Sequence, residues 1–128
     1  MDAIAIASSA LSTHRKWLDA ISDNLANVNT VKSTSEAAFQ ARYLEVTEGA
    51  GVSGVNVTGV AFGSAEGRLA YDPENPLADA DGNVRMPDID LASQMGYLIM
   101  AQRGYQANAA IVDRAKTTYE AALQIGRG

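Results

Sequence analysis

The first 28 residues carry a seven-residue repeat and contain neither Gly nor Pro. Ile4, Leu11, Leu18 and Leu25 fall on one row, and Ala7, His14, Ile21 and Val28 on a second row three residues on. Alternating three-four spacing draws a narrow apolar stripe along an α-helix, the pattern of a coiled-coil seam. Over Asp2–Asn27 such a helix is on the order of 40 Å long. A stripe this narrow gives a helix no core of its own, so the pattern demands a second helix running alongside.

The repeat stops in Asn24-Leu25-Ala26-Asn27-Val28-Asn29-Thr30. Asn and Thr side chains compete for backbone hydrogen bonds there and favour caps and turns over helix interior. Asn24, Asn27 and Asn29 are therefore expected to terminate the first helix. Lys32 to Ala38 shows no firm period and reads as a linker or a short fragment of helix. Between Phe39 and Met86 the period becomes two, in Arg42–Val46 and again in Val55–Phe62, with the Gly-rich run Gly49–Gly54 between them. Leu69-Ala70-Tyr71 and Val84-Arg85-Met86 read as two more short strands around a loop with two prolines and the turn signal Asp81-Gly82-Asn83.

After Pro87, with Asp88 or Asp90 as N-cap, a second stripe begins. Leu91, Met95, Leu98, Tyr105, Ala109, Val112, Tyr119 and Leu123 keep the same spacing, interrupted by Gln102 and Lys116. It runs to Ile125, with Gly126 as the expected stop, over a length on the order of 50 Å. The expected fold is mainly α with a small β insert: an antiparallel coiled-coil pair of long N- and C-terminal helices with a central short β-hairpin region. The segments are 1–30 for the first helix, 31–87 for the linker and insert, and 88–128 for the second helix. Ile4, Leu11, Leu18, Ile21 and Leu25 from the first helix, with Leu91, Met95, Leu98, Tyr105 and Val112 from the second, are the expected helix seam. An Asp at position 18 would then leave a charge unpaired in that seam.

Chemistry is hard to place in this chain. At 128 residues it has room for one ordinary domain, and Lys+Arg 10 against Asp+Glu 15 leaves a formal charge of -5. That balance lacks the basic footprint of a nucleic-acid binder. Cys 0 removes thiol catalysis, thiolate metal sites and disulfides together. No run approaches the ~18 apolar residues of a membrane span, so no membrane insertion is expected. Gly49-Ala50-Gly51-Val52-Ser53-Gly54 matches a bare dinucleotide pattern, but a strand pattern follows it where a phosphate site needs a helix. Asp79-Ala80-Asp81-Gly82 fails the calcium-loop register, since Leu77 falls where the first oxygen ligand belongs. His14 is the single histidine and sits on the seam, a packing position, and Ser53 has the wrong glycine offset for a nucleophile elbow. Gly96 and Gly104 inside the second helix read either as weak points or as places where another helix comes close. Tyr97, Tyr105 and Tyr119 read as packing residues with a polar handle. No catalytic residue, cofactor or metal is expected.

Two blocks carry a resemblance. Ile21-Ser22-Asp23-Asn24-Leu25-Ala26-Asn27-Val28-Asn29-Thr30, closing a heptad helix, resembles the signature of the bacterial flagellar rod and hook proteins. Tyr71-Asp72-Pro73-Glu74-Asn75-Pro76, then Val84-Arg85-Met86-Pro87, Met95 and Arg103-Gly104-Tyr105-Gln106-Ala107-Asn108, resembles the proximal rod members of that family, as does the ending Leu123-Gln124-Ile125-Gly126. The family commonly has His where Asn75 stands and Ser where Gly104 stands. The resemblance implies a structural rod subunit that assembles helically and transmits torque for motility. It implies export through the flagellar type III apparatus without a cleaved signal, and a place in the periplasm-spanning rod. The implied neighbours are further copies, the other proximal rod proteins, the distal rod, and the adaptor FliE at the MS ring. Two other readings stay open: a different rod or hook subunit, and a soluble helical adaptor or export chaperone that uses its seam to hold one partner.

Overall fold

A computed structural model describes residues 2–48 and 54–127. In chain order the elements are α1 (Asp2–Ala26), β1 (Arg42–Glu48), β2 (Val55–Phe62), β3 (Arg68–Tyr71), β4 (Asn83–Met86) and α2 (Leu91–Arg127). The molecule is two long helices with two small antiparallel hairpins between them in sequence, the mainly helical fold with a β insert that the periodicity implies. Residues 49–53, the greater part of the Gly-rich connector, lie outside the described residues.

α1 and α2 pack antiparallel. Asn24 bonds Gln94, the Trp17 ring lies 6.2 Å from that of Tyr97, His14 abuts Gly104, and Ala3 and Ile4 share a hollow with Ala115 and Tyr119. Small residues sit in this contact, since Ala7 on α1 and Ala101 on α2 are buried, and small side chains let two backbones approach closely. Leu98 and Val112 are half-buried on one row of α2. The companion row is Gln94, Ala101, Asn108, Ala115 and Ala122, of which Gln94 and Ala101 are fully buried. This corrects the expectation that Leu91 and Met95 lie between the helices: they stand 49% and 52% exposed. The largest apolar side chains mark a sequence stripe most visibly, but close packing selects the row of small ones.

The ends of the helices differ from expectation in detail. Asn27 closes α1, its Nδ2 donating to Asp23 O at 2.9 Å while Thr30 Oγ1 donates to Asn27 Oδ1. Asn24 does not terminate the helix; its side chain turns inward. Asp90 caps α2, accepting from Ser93 Oγ at 2.6 Å and from Ala92 N at 3.3 Å. α2 continues through Gly126 to Arg127, because a Gly in a solvated last turn weakens a helix without ending it.

The first hairpin, β1 with β2, lies along α1 and is fixed to it at both ends. Ser9 Oγ accepts from Val55 N at 3.1 Å, and Asn24 Oδ1 accepts from Arg42 N at 2.8 Å. Fifteen residue steps lead from Ser9 to Asn24 on the helix, about 22 Å, and the six steps of β1 from Arg42 to Glu48, which pairs with Val55, span about 20 Å, so the two attachment points nearly match in length. A bulge between Glu45 and Val46 lets Thr58 Oγ1 donate to Glu45 O. The second hairpin, β3 with β4, holds Val84 as its buried residue and takes the linker as a further partner. Lys32 and Arg85 exchange backbone hydrogen bonds at 2.8 Å in both directions, so Lys32–Ala38 forms a bridge and a turn and no helix.

Candidate assembly surface

The residues singled out by the sequence fall into three places. The first is the end of α1. Asn24 is 1% exposed, and its Nδ2 donates to Arg42 O at 3.0 Å and to Gln94 Oε1 at 3.1 Å, so one amide joins α1, β1 and α2. Leu25 is half-buried, Ala26 is exposed, Asn27 and Thr30 form the cap, and Asn29 is exposed. Asp23 pairs with Arg42 at 2.7 Å, but both side chains are about half exposed and the pair contributes little.

The second place is the loop between β3 and β4. Asp72 N donates to Gly82 O and Asn75 Nδ2 donates to Asp72 Oδ2, closing the Tyr71-Asp72-Pro73 corner. Gly82 has φ +80°, and a Cβ there would meet Tyr71 Cε1 at 2.8 Å and Pro73 at 3.1 Å. Tyr71 and Pro73 therefore close over this glycine, and a side chain would both strain the backbone and prise them apart. Asp79 accepts from Asp81 N and Asn83 N at 2.9 Å and from Thr34 Oγ1 at 3.1 Å. The Asn83 amide first, then Thr34 and the other turn amides, hold its carboxyl below the usual 3.8. The acid serves the turn and ties it to the linker.

The third place is α2. Among the sequence-chosen seam residues, Ile4, Leu11, Leu18, Leu25, Leu98 and Val112 are half-buried, Ile21 is buried, and Leu91, Met95 and Tyr105 are exposed. Leu91, Met95 and Ile99 form an i, i+4, i+8 row, each about half exposed, on one flank of α2. His14 and Tyr97 lie on the flank beside the first hairpin, where a cleft of about 400 Å³ is walled by Trp17, Tyr43, Leu44 and Val55. In helical projection the Met95 row is on the other flank, away from that hairpin. Of the Tyr105-Gln106-Ala107-Asn108 block, Asn108 is half-buried, with Nδ2 donating to Gly104 O, Gln106 and Ala107 are exposed, and Tyr105, on the Leu98–Val112 row, is 38% exposed.

α2 is also twelve residues longer than α1, so its last turns run past the start of its partner. Beyond the hollow where Tyr119 meets Ala3 and Ile4, Leu123 and Ile125 are exposed, Ile125 at 81%. Sequence reasoning placed Tyr119 and Leu123 in the stripe but did not isolate this overhang, which the unequal lengths of the two stripes already imply. An exposed apolar row on one flank of a helix and exposed apolar side chains at its end are what an interaction surface presents. Among the described residues, no three of His, Asp and Glu gather where they could hold a metal ion, and no helix is long and apolar enough to cross a membrane.

Comparison with known proteins agrees with this division. The family model described as flagella basal body rod protein matches residues 4–32, which is α1 with its Asn-rich end. The model described as flagellar basal body rod FlgEFG protein C-terminal matches residues 80–125, which is β4 and most of α2. The chain is 34% identical over 126 residues to the flagellar basal-body rod protein FlgC of Salmonella typhimurium, covering 95% of this chain and 94% of the relative. It is 28% identical to the proteins of that name from Bacillus subtilis, with 95% of each chain covered, and from Borreliella burgdorferi, with 98% and 96% covered. The two family models thus fall on the two long helices and the FlgC match runs over nearly the whole chain: this chain belongs to the flagellar basal-body rod proteins and is similar to FlgC.

Proposed function

We propose that the chain is a non-enzymatic subunit of the proximal rod, polymerising helically to transmit torque for motility. The observation that carries this reading is the row Leu91, Met95 and Ile99, exposed on a helix already paired along its other side, in a chain similar to rod proteins over nearly its whole length. A face of that kind on a subunit with no internal symmetry makes heterologous contacts, and heterologous contacts that do not close build a helical filament. The neighbours are further copies, the other proximal rod proteins and the distal rod, with FliE at the MS ring. Export through the flagellar type III apparatus without a cleaved signal, and a final position in the periplasm-spanning rod, complete the reading. The corner Tyr71-Asp72-Pro73 and the exposed parts of Tyr105, Gln106, Ala107 and Asn108 are candidate contacts with adjacent subunits, while Asn24, Leu25, Ala26, Asn27, Asn29 and Thr30 shape the end of α1.

Deletion of the gene in its host, with the intact copy restored as control, tests the assignment. The expected result is non-motile cells whose basal bodies stop before a complete rod in electron micrographs. Motile cells with complete rods would sink it and turn attention to a helical adaptor or export chaperone.

A further inference from the structure

The apolar rows of the helix pair do not by themselves fix how the helices are staggered. α2 repeats Leu98, Tyr105, Val112 and Tyr119 every seven residues, so α1 displaced by one heptad toward the C-terminus of α2 still meets apolar side chains. The overhang makes room for that displacement, because α2 is long enough to cover all of α1 in either position. Two contacts lack this freedom. Asn24 and Gln94 are 1% and 2% exposed and bond each other at 3.1 Å; one heptad away Asn24 faces Ala101, and the amide of Gln94 loses its buried partner. His14, whose Nδ1–H donates to Ala10 O at 2.7 Å, lies against Gly104; one heptad away the ring meets Ile111. A Cβ at position 104 would stand 2.5 Å from His14 Cδ2 and closer still to Nε2, so the ring occupies a notch that only glycine leaves open.

We propose that the Asn24–Gln94 bond and the His14–Gly104 notch act together as a register lock, selecting one stagger of α1 on the α2 of its own chain over slipped or intermolecular pairings. A buried amide pair in an apolar seam is a known means of specifying register at some cost in stability, and a chain whose helices expose further apolar rows needs such a choice to be made. The lock concerns pairing inside one chain, and it stands or falls separately from the rod assignment.

The chain has one Trp, on α1 6.2 Å from Tyr97, so its indole N–H reports the stagger in a nitrogen–proton correlation spectrum. The wild-type full chain should give one indole signal and a monomer mass by light scattering. Gln94→Leu combined with Gly104→Ala should keep its helicity by circular dichroism, yet show a second indole signal of at least about a tenth of the intensity, or a mass that rises with concentration, since a lost buried hydrogen bond is worth about a tenfold preference. Gly96→Ala, on the same helix with nothing within 4 Å, should keep the single indole signal and the constant mass of the wild type. One unshifted indole signal and a constant monomer mass in the double variant would overturn the proposal, as would several signals in the wild type. Should the double variant lose its helicity, Gln94→Met alone decides: a second signal or a concentration-dependent mass supports the lock, and a single signal at constant mass overturns it.

Discussion

Asp79 shows how much one side chain organises in an insert with little core. Its carboxylate takes hydrogen bonds from two turn amides and from Thr34, forty-five residues earlier in the chain, so the turn and the linker share one acceptor. These donors favour the charged form and lower its pKa in the fold. The resulting stabilisation is therefore fully present above the unfolded value of 3.8 and is lost as pH falls through the lower folded value. Protection of the Asp81 and Asn83 amides against hydrogen exchange, measured relative to unfolded-chain rates, should accordingly be constant near neutrality and fall in acid below about 3.8. Asp79→Asn should show reduced protection at neutral pH and no acid step; an unchanged acid step in that variant would mean that another group controls the turn. The acidic turn was legible in the sequence because Asp and Gly at those offsets have few other uses. Its tie to Thr34 was not, because nothing local links residues so far apart.

Elements were legible where a period governs them. The seven-residue repeat gives α1, period two gives the strands, and the Pro and Gly punctuation gives the breaks between them. The face that α2 turns to α1 was harder to read, since Leu91 and Met95 outweigh Ala101 and Gln94 on any hydrophobic count, while close approach favours the small residues. The two helix glycines separate these effects. Gly96 has nothing within 4 Å, so Gly96→Ala should stabilise the chain by about 0.5–1 kcal/mol through helix propensity alone. Gly104→Ala gains the same propensity but drives into the His14 ring, and overpacking of this kind costs about 1–3 kcal/mol, so its net effect should be a lower thermal midpoint. Pairing it with His14→Ala should recover the loss, a coupling of about 0.5–3 kcal/mol in a double-mutant cycle; additive effects would mean that the ring and the glycine do not share the space. The sequence marked both glycines as anomalies and could not tell them apart, because the difference is the identity of the opposite neighbour.

At the scale of the whole molecule, the helices are unequal and the outer flank of α2 is uncovered, so the isolated chain leaves unburied much of the apolar surface that a helix pair of this length can bury. Two substitutions divide the inner contact from the outer one. Leu18 is half-buried on α1, and Leu18→Asp should weaken the helix pair itself, lowering helicity and thermal midpoint together. Met95 is half exposed and away from α1, so Met95→Asp should leave both within about 0.5 kcal/mol of wild type. If the outer row is where a neighbouring subunit packs, the same Met95→Asp chain should fail to restore swimming in a deletion strain, since a charge placed in an apolar contact is left without a partner. Removing residues 123–127, beyond the hollow that Thr118, Tyr119 and Ala122 share with Ala3 and Ile4, extends the argument from the flank to the end of the helix. That chain keeps the part of α2 opposite α1, so it should retain a cooperative thermal transition while losing the capacity to restore motility. Full swimming with the shortened chain would show that the overhang is dispensable, and would confine the assembly contacts to the Met95 flank and the corner around Tyr71.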